Sequence, residues 1–153
     1  MAALGTDAVD PAELLDVVTA VVRVLRRAAA QSDGNVKGLS LTEFRVLKRL
    51  AGGLRLVRDL AVDLDVTVPT ISAAVESLVR RGLVKRGVAD RDRRVVPLIL
   101  TDQGQSALYA ARDRQFAALL DVLAVLDADE RASLASSVGV LSRALLESGQ
   151  RST

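Results

Sequence analysis

The side chains that most often carry enzyme chemistry are missing from this sequence. Its 153 residues include no histidine and no cysteine, so it has no imidazole base, no thiolate nucleophile and no thiol or imidazole metal ligand. Its carboxylates are scattered singly over helix starts and surfaces, and no glycine-rich phosphate loop or nucleophile elbow occurs. We therefore predict a protein that is not an enzyme and holds neither a cofactor nor a metal.

The remaining ionisable groups are mainly arginines and carboxylates, and the basic ones concentrate in one stretch. Residues 67–101 carry a net charge of +4, whereas the rest of the chain sums to −2. The basic residues of this stretch are Arg80, Arg81, Lys85, Arg86, Arg91, Arg93 and Arg94. Such a segment is typical of a surface that faces a polyanion such as nucleic acid, although a solvated charged face is an equally simple interpretation.

Long apolar helices are predicted on both sides of the basic stretch. Half of the residues are hydrophobic but only 2% are aromatic, a composition that favours packed helices. The first helix begins with Asp10 as its N-cap and is predicted to run to Gln31, buried on most sides. Another is predicted from Asp102 to Leu126, and a last helix follows an acidic cap at Asp127. Their apolar surface exceeds what one small domain covers, so we expect a homodimer with two-fold symmetry.

Three shorter helices and a hairpin are predicted between these long helices. Ser40 and Glu43 form a capping box for one helix, and a short helix spans about residues 57–64. Thr67 is an N-cap for a helix that ends at Arg81. The spacing of its apolar residues leaves five residues facing outward: Thr70, Ser72, Ala73, Ser77 and Arg80.

A short β-hairpin is predicted after these helices. Its strands fall within residues 83–88 and 95–100, around a charged turn, and Pro97 restricts the second strand to a sheet edge. Helix, short helix, turn, helix and hairpin together make a winged helix-turn-helix, in which the second helix of the pair enters the major groove of DNA. The predicted fold class is mainly α with a small β-hairpin wing, joined to a long-helix dimerisation region.

The predicted organisation has three parts. Residues 1–38 form the N-terminal dimerisation helix and a loop, residues 39–101 form the winged helix-turn-helix, and residues 102–153 form the C-terminal dimerisation helices. No apolar run is long enough to span a bilayer, and no basic residue precedes Arg23 as a signal peptide would require. We therefore expect a cytoplasmic protein without a membrane partner.

Three segments resemble the MarR (multiple antibiotic resistance regulator) family of dimeric winged-helix regulators. They are LSLTEFRVLKRLA at residues 39–51, VRDLAVDLDVTVPTISAAVESLVRRGLVKR at residues 57–86 and DRRVVPLILTDQG at residues 92–104. The resemblance implies a sequence-specific regulator of transcription, expected to be a repressor that a small-molecule effector releases. Its operator would be double-stranded DNA with an imperfect palindrome. A winged-helix module used only for protein contacts is the alternative.

The resemblance also implies roles for the basic residues. Arg94 corresponds to a wing arginine that approaches the minor groove, Asp92 orients such arginines, and Arg91 and Arg93 flank them. Four further residues are implied phosphate contacts: Arg58, Arg80, Lys85 and Arg86. Ser40 and Thr67 are expected to cap helices first, while the N–H groups they flank could bind phosphate.

The predicted recognition helix departs from the family pattern. Val68, Pro69 and Ala73 stand where relatives often carry longer polar residues, so they offer apolar contacts such as those to thymine methyl groups. Thr70 and Ser72 can hydrogen-bond to bases. We expect DNA shape and the wing to contribute much of the specificity.

The family also commonly binds small effectors between its dimer helices and the DNA-binding domain. The residues implied to line such a pocket are Val18, Val22, Phe44, Tyr109 and Phe116, although apolar residues at helical spacing more often belong to the core. Because aromatic residues are scarce, the expected effector is a small lipophilic molecule that is aliphatic or bulky, and constitutive DNA binding without an effector is the alternative.

Overall fold

The computed structural model describes residues 9–31, 38–88 and 96–150. Its elements in chain order are α1 (Pro11–Ala30), α2 (Leu41–Ala51), α3 (Val57–Asp63), α4 (Val68–Arg80), β1 (Val84–Arg86), β2 (Leu98–Leu100), α5 (Asp102–Ala124) and α6 (Ala128–Gln150). The two strands form an antiparallel pair. The predicted fold class, mainly α with a small hairpin, is confirmed.

Most of the predicted helix caps are present. Side-chain oxygens of Asp10, Thr101 and Asp127 accept hydrogen bonds from first-turn N–H groups of α1, α5 and α6 at 2.9 to 3.0 Å. Ser40 and Glu43 form the complete capping box of α2. These local bonds satisfy N–H groups that have no partner inside a helix, which is why these helix starts can be predicted from short motifs.

One hydrophobic cluster joins α2, α3, α4, both strands and the beginning of α5. Its members are Leu39, Val46, Leu47, Leu50, Leu60, Ala61, Leu64, Ile71, Ala74, Val75, Leu78, Leu83, Val84, Leu98, Ala107, Leu108 and Ala111. Burial of these aliphatic side chains is the main source of stability for this part of the chain.

The hairpin is tied to the segment before α3. Lys85 of β1 lies opposite Ile99 of β2. β2 is an edge strand, as predicted, yet its outer edge is partly covered because the Leu98 N–H donates to the carbonyl of Arg55 at 2.7 Å. Pro97 lies just before the strand, where its missing N–H does not interrupt the ladder.

The chain divides into two compact units, residues 1–116 and 117–153, with the boundary inside α5. In the first unit, α1 buries only Ala28 and Ala29, and its residues 11–22 are exposed. In the second unit, the side chains of residues 128–148 in α6 are exposed. A single chain therefore does not bury α1 on most sides as the sequence predicted. None of the helices in the described ranges combines the length and the apolar character needed to cross a membrane.

Two helical glycines give opposite expectations for stability. A Cβ at Gly104 would lie 2.0 Å from the Leu83 carbonyl oxygen, whereas a Cβ at Gly139 would meet nothing within 4 Å. We expect Gly104→Ala to lower the free energy of unfolding by about 2 kcal/mol through overpacking. Gly139→Ala should raise it by about 0.5 to 1 kcal/mol, because alanine favours the helix. Urea denaturation at one fixed protein concentration measures both, and equal stability of the two variants would contradict the close packing at Gly104.

Candidate nucleic-acid interface

The turn between α3 and α4 is held against α2. The Arg45 guanidinium donates to the carbonyl of Leu64 at 2.9 Å, and Arg49 forms an ion pair with Asp63 at the end of α3. Asp65, within the turn, has a φ of 51°, a left-handed conformation that Asp adopts more readily than most residues. Together these contacts hold the end of α3 and the turn against α2.

α4 buries one face and exposes the other over its first two turns. Ile71, Val75 and Leu78 are completely buried. Of the residues predicted to face outward in the first turns, Thr70 and Ala73 are exposed and Ser72 is half-buried. Val68 and Pro69, at the start of the helix, are exposed as well. The helix therefore presents a mixed apolar and hydroxyl surface beyond the protein core, as its sequence pattern predicts.

The far end of α4 differs from the prediction. Ser77 was expected to face outward, but it is half-buried and its Oγ donates to a carboxylate oxygen of Glu43 at 2.7 Å. The prediction was wrong because helical spacing shows which face a residue occupies but not that the N-terminus of α2 covers that face here.

The N-terminus of α4 lacks a side-chain cap. Thr67 occupies the N-cap position, yet its side chain makes no capping hydrogen bond. Its hydroxyl lies instead 2.8 Å from the hydroxyl of Thr70, so the predicted cap is wrong in this respect. N–H groups of a first turn that no side chain caps can bind an anion, where the helix dipole adds to the attraction. Pro69 contributes no such N–H group.

Arg58 lies in a groove beside this helix start. The groove has a volume of about 660 Å³ and is lined by Leu56, Val57, Arg58, Asp59, Val68, Arg86 and Val96. It therefore brings together two of the predicted phosphate contacts, Arg58 from α3 and Arg86 from β1, next to the first residue of α4. Arg58 and Val68 also line a second groove that includes Thr67. Asp59 reduces the positive charge of the first groove.

The other two predicted phosphate contacts lie elsewhere. Arg80 is the last residue of α4, about 18 Å along the helix from Val68 at 1.5 Å per residue. Lys85 is exposed, but neighbouring residues of a strand point to opposite faces, so it does not share the face of Arg86. The structure thus pairs Arg58 with Arg86 at the start of α4 and leaves Arg80 and Lys85 outside the two grooves.

The predicted contacts of the wing belong to a different part of the chain. Arg91, Asp92, Arg93 and Arg94 lie outside the described residues, and their roles stay predictions.

Another groove, separate from the two beside α4, lies between α2 and the first part of α5. It has a volume of about 440 Å³ and is lined by Phe44, Lys48, Ala51, Leu108, Tyr109, Arg112 and Gln115. Two of the predicted effector contacts, Phe44 and Tyr109, therefore line one groove. Val18, Val22 and Phe116 do not line it, and all three are exposed.

Sequence reasoning missed the two cations of this groove. Lys48 follows Phe44 by four residues and Arg112 follows Tyr109 by three, so each cation lies on the same helix face as an aromatic residue. That spacing was visible in the sequence, but the approach of α2 to α5 was not. The groove offers apolar surface and positive charge together, a combination suited to an organic anion. Within the described ranges, no group of three or more acidic side chains is arranged to hold a metal ion.

Comparisons with known proteins agree with this geometry. The model of the MarR family matches residues 37–95, and no curated protein shows significant similarity to the sequence.

Similar solved structures include wild-type MarR from E. coli in its apo form, with 20% identity over 89% of this chain and 98% of that chain and a TM-score of 0.72. The transcriptional regulator BldR from Sulfolobus solfataricus shares 27% identity over 86% of this chain and 94% of that one, with a TM-score of 0.61. A mutant of S. aureus MepR bound to an oligodeoxyribonucleotide shares 18% identity over 90% and 99% of the two chains, with a TM-score of 0.63.

The matched residues contain α2, α3, α4 and β1. These elements include the groove residues Arg58 and Arg86 and the exposed start of α4. The resemblance read from the sequence is confirmed for this part of the chain, because the model of the MarR family matches it, and the solved structures share the fold of the described residues.

Proposed function

We propose that the chain is a transcription regulator that binds double-stranded DNA through the N-terminal half of α4. The observation that carries this proposal is the uncapped, exposed start of α4 beside a groove that contains both Arg58 and Arg86. A helix start of this kind fits the major groove, while the flanking guanidinium groups fit the phosphates at its margin. The structure of a mutant of the similar protein MepR bound to an oligodeoxyribonucleotide supports DNA as the ligand.

The residues of the interface divide into two roles. Thr70 and Ser72 would donate or accept hydrogen bonds at base edges, and Val68, Pro69 and Ala73 would contact thymine methyl groups. Arg58 and Arg86 would contact phosphates, with Arg80 and Lys85 further along the duplex. The predicted wing residues, Arg91, Asp92, Arg93 and Arg94, would add minor-groove and phosphate contacts. No catalytic step belongs to this function.

The functional form would be a homodimer. Within the first unit, Leu15 and Val17 of α1 are 66% and 55% exposed, and within the second, Leu145 and Leu146 of α6 are 62% and 71% exposed. Apolar helix surface of this extent is costly in water and is typical of an interface between subunits. A second copy is the occupant that fits, because a two-fold dimer also presents two copies of α4 to DNA.

Removing the charge of either groove arginine should weaken DNA binding without regard to sequence. We expect Arg58→Gln and Arg86→Gln each to reduce affinity for operator and unrelated duplex alike. The slope of log affinity against log salt should fall by about one unit for each phosphate that the variant no longer neutralises. Fluorescence anisotropy at several salt concentrations measures this, with Arg143→Gln, an exposed change in α6, as the control. Unchanged slopes in both groove variants would remove the groove from the interface.

Selection from a random duplex library should recover an imperfect palindrome whose half-sites lie about one helical turn apart. Sedimentation should find two chains on each selected duplex.

Repeating the selection with Thr70→Val or Ser72→Ala should change the preferred bases, whereas Arg94→Ala should lower affinity for all duplexes. If no sequence is enriched and binding is absent at low salt, the chain is instead a winged-helix module for protein contacts.

We further propose that the regulator is a repressor released by a small organic anion bound between α2 and α5. Phe44 and Tyr109 would contact its apolar body, and Lys48 and Arg112 would pair with its charged group. This adds an anionic group to the lipophilic effector expected from composition. Such a ligand acts through its different affinities for the two geometries of the protein, and a hundredfold loss of operator affinity requires about 2.8 kcal/mol.

A panel of lipophilic carboxylic acids and phenols tests the effector site. We expect at least one acid to weaken operator binding, and Lys48→Gln or Arg112→Gln to raise the concentration required about tenfold, because a charge-assisted hydrogen bond is removed. Arg26→Gln, an exposed change in α1, serves as the control. Release by hydrogen peroxide or micromolar zinc, or equal responses of all variants, would contradict the assignment.

A further inference from the structure

Glu43 is the one buried charged residue in the described part of the chain, with 8% of its surface exposed. Its Oε2 accepts a hydrogen bond from the backbone N–H of Ser40 at 2.7 Å. Its Oε1 accepts one from the hydroxyl of Ser77 at 2.7 Å and a longer one from the guanidinium of Arg81 at 3.3 Å. One carboxylate therefore joins the start of α2 to the end of α4.

The residues just before α2 are also attached to the end of α1. The Leu39 N–H donates to the carbonyl of Ala29 at 3.0 Å, and Arg81 also lies 3.5 Å from the carbonyl oxygen of Gly38. A Cβ at Gly38 would be 2.0 Å from the Ala30 carbonyl oxygen, so the backbone at Gly38 is pressed against the last turn of α1. Ala28 and Ala29, the buried residues of α1, lie in that same turn.

We propose that Glu43 is a positioning residue that ties the recognition helix α4 to the dimerisation helix α1. This inference rests on the proposed function, since it assigns those roles to the two helices. Its contacts join the end of α4 to the start of α2, and the residues just before α2 contact the last turn of α1. Together these contacts give α4 a defined position relative to α1 within each protomer, and in a dimer the distance between the two copies of α4 follows from that position.

The chemistry of the carboxylate suits this role. Hydrogen bonds to an ionised acceptor are shorter and stronger than neutral ones, and removing one partner leaves the other polar groups unpaired. Burial alone would raise the pKa of Glu43, but hydrogen bonds from Ser40 and Ser77 and the charge of Arg81 hold that pKa below its ordinary value. The group is therefore ionised at neutral pH.

The Arg49–Asp63 ion pair offers a matched control. It also begins on α2, but its side chains are 41% and 35% exposed and it reaches α3 only. Exposed pairs of this kind contribute little to stability. Breaking that pair should leave the relation between α1 and α4 unchanged, whereas replacing Glu43 should not.

Spin labels can test the relation without DNA, because the chain contains no cysteine. Asp16→Cys on α1 and Glu76→Cys on α4 are exposed labelling positions. Double electron–electron resonance on labelled chains diluted with unlabelled chains reports the distance within one protomer. We expect a single narrow distance distribution in the parent protein and in Arg49→Gln. It should be at least twice as broad in Glu43→Gln, and broadened to a smaller extent in Ser77→Ala.

Ser77→Ala removes one hydrogen bond and leaves the capping box of α2 intact, so it keeps the test valid if Glu43→Gln does not fold. A broad distribution in the parent protein, or narrow distributions in every folded variant, would overturn the proposal. Either result would mean that the carboxylate stabilises the domain without setting the position of α4.

A DNA experiment gives the functional readout. Operators whose half-site spacing is changed by one base pair should bind the parent protein at least tenfold more weakly than the selected operator. Glu43→Gln should lose most of that discrimination while its affinity for unrelated duplex and its salt slope stay unchanged. The double variant Glu43→Gln, Arg81→Gln should lose no more than the single variant, because both changes break one network.

Discrimination that survives in Glu43→Gln would overturn the positioning role. If the parent protein binds no duplex at all, the proposed function fails, and the spin-label distances still decide whether Glu43 fixes α4 relative to α1.

Discussion

The burial of one face of α4 is the constraint on which the rest of the domain depends. Ile71, Val75 and Leu78 are removed from water completely, and α2, α3 and the hairpin pack around them. Because a helix cannot rotate without moving its buried stripe, this packing also determines which residues face outward. The exposure of the start of α4 is thus a consequence of core packing and requires no additional interaction.

Charge is arranged independently of that core. Arg58 and Arg86 come from different elements and share a groove, and neither the Arg49–Asp63 pair nor the Arg81–Glu43 pair lines it. Surface arginines of this kind contribute little to folding, so their placement leaves stability almost unchanged. Positive charge beside an uncapped helix start instead lowers the free energy of a bound polyanion.

The two ends of the chain represent a different physical situation. α1 and α6 carry aliphatic side chains that a single chain leaves exposed, whereas the winged helix-turn-helix domain has a closed core. The domain meets the last turn of α1 at Gly38 and Leu39, and the Gln115 side chain of α5 donates to the Leu25 carbonyl of α1 at 3.3 Å. Individual hydrogen bonds can influence the geometry of such a junction.

How much the sequence could predict depended on the range of the interaction. The caps at Asp10, Ser40 and Asp127 were predictable because both partners lie within one helical turn. The inward face of α4 was predictable because burial on a helix follows a fixed period, and the hairpin was predictable because two short strand-like runs flank a charged turn. Arg58 and Arg86 were singled out by type and by family resemblance, but their shared groove could not be inferred from residues 28 positions apart.

The sequence by itself therefore determined the order of the elements, the inward and outward faces of α4 and the absence of thiol and imidazole chemistry, because these properties depend on local spacing and composition. Only the tertiary structure decided that Ser77 turns toward Glu43, that Thr67 pairs with Thr70 in place of capping α4, and that Lys48 and Arg112 face one groove. Each of these depends on the relative placement of groups through packing or hydrogen-bond competition, which the pattern along one helix does not encode.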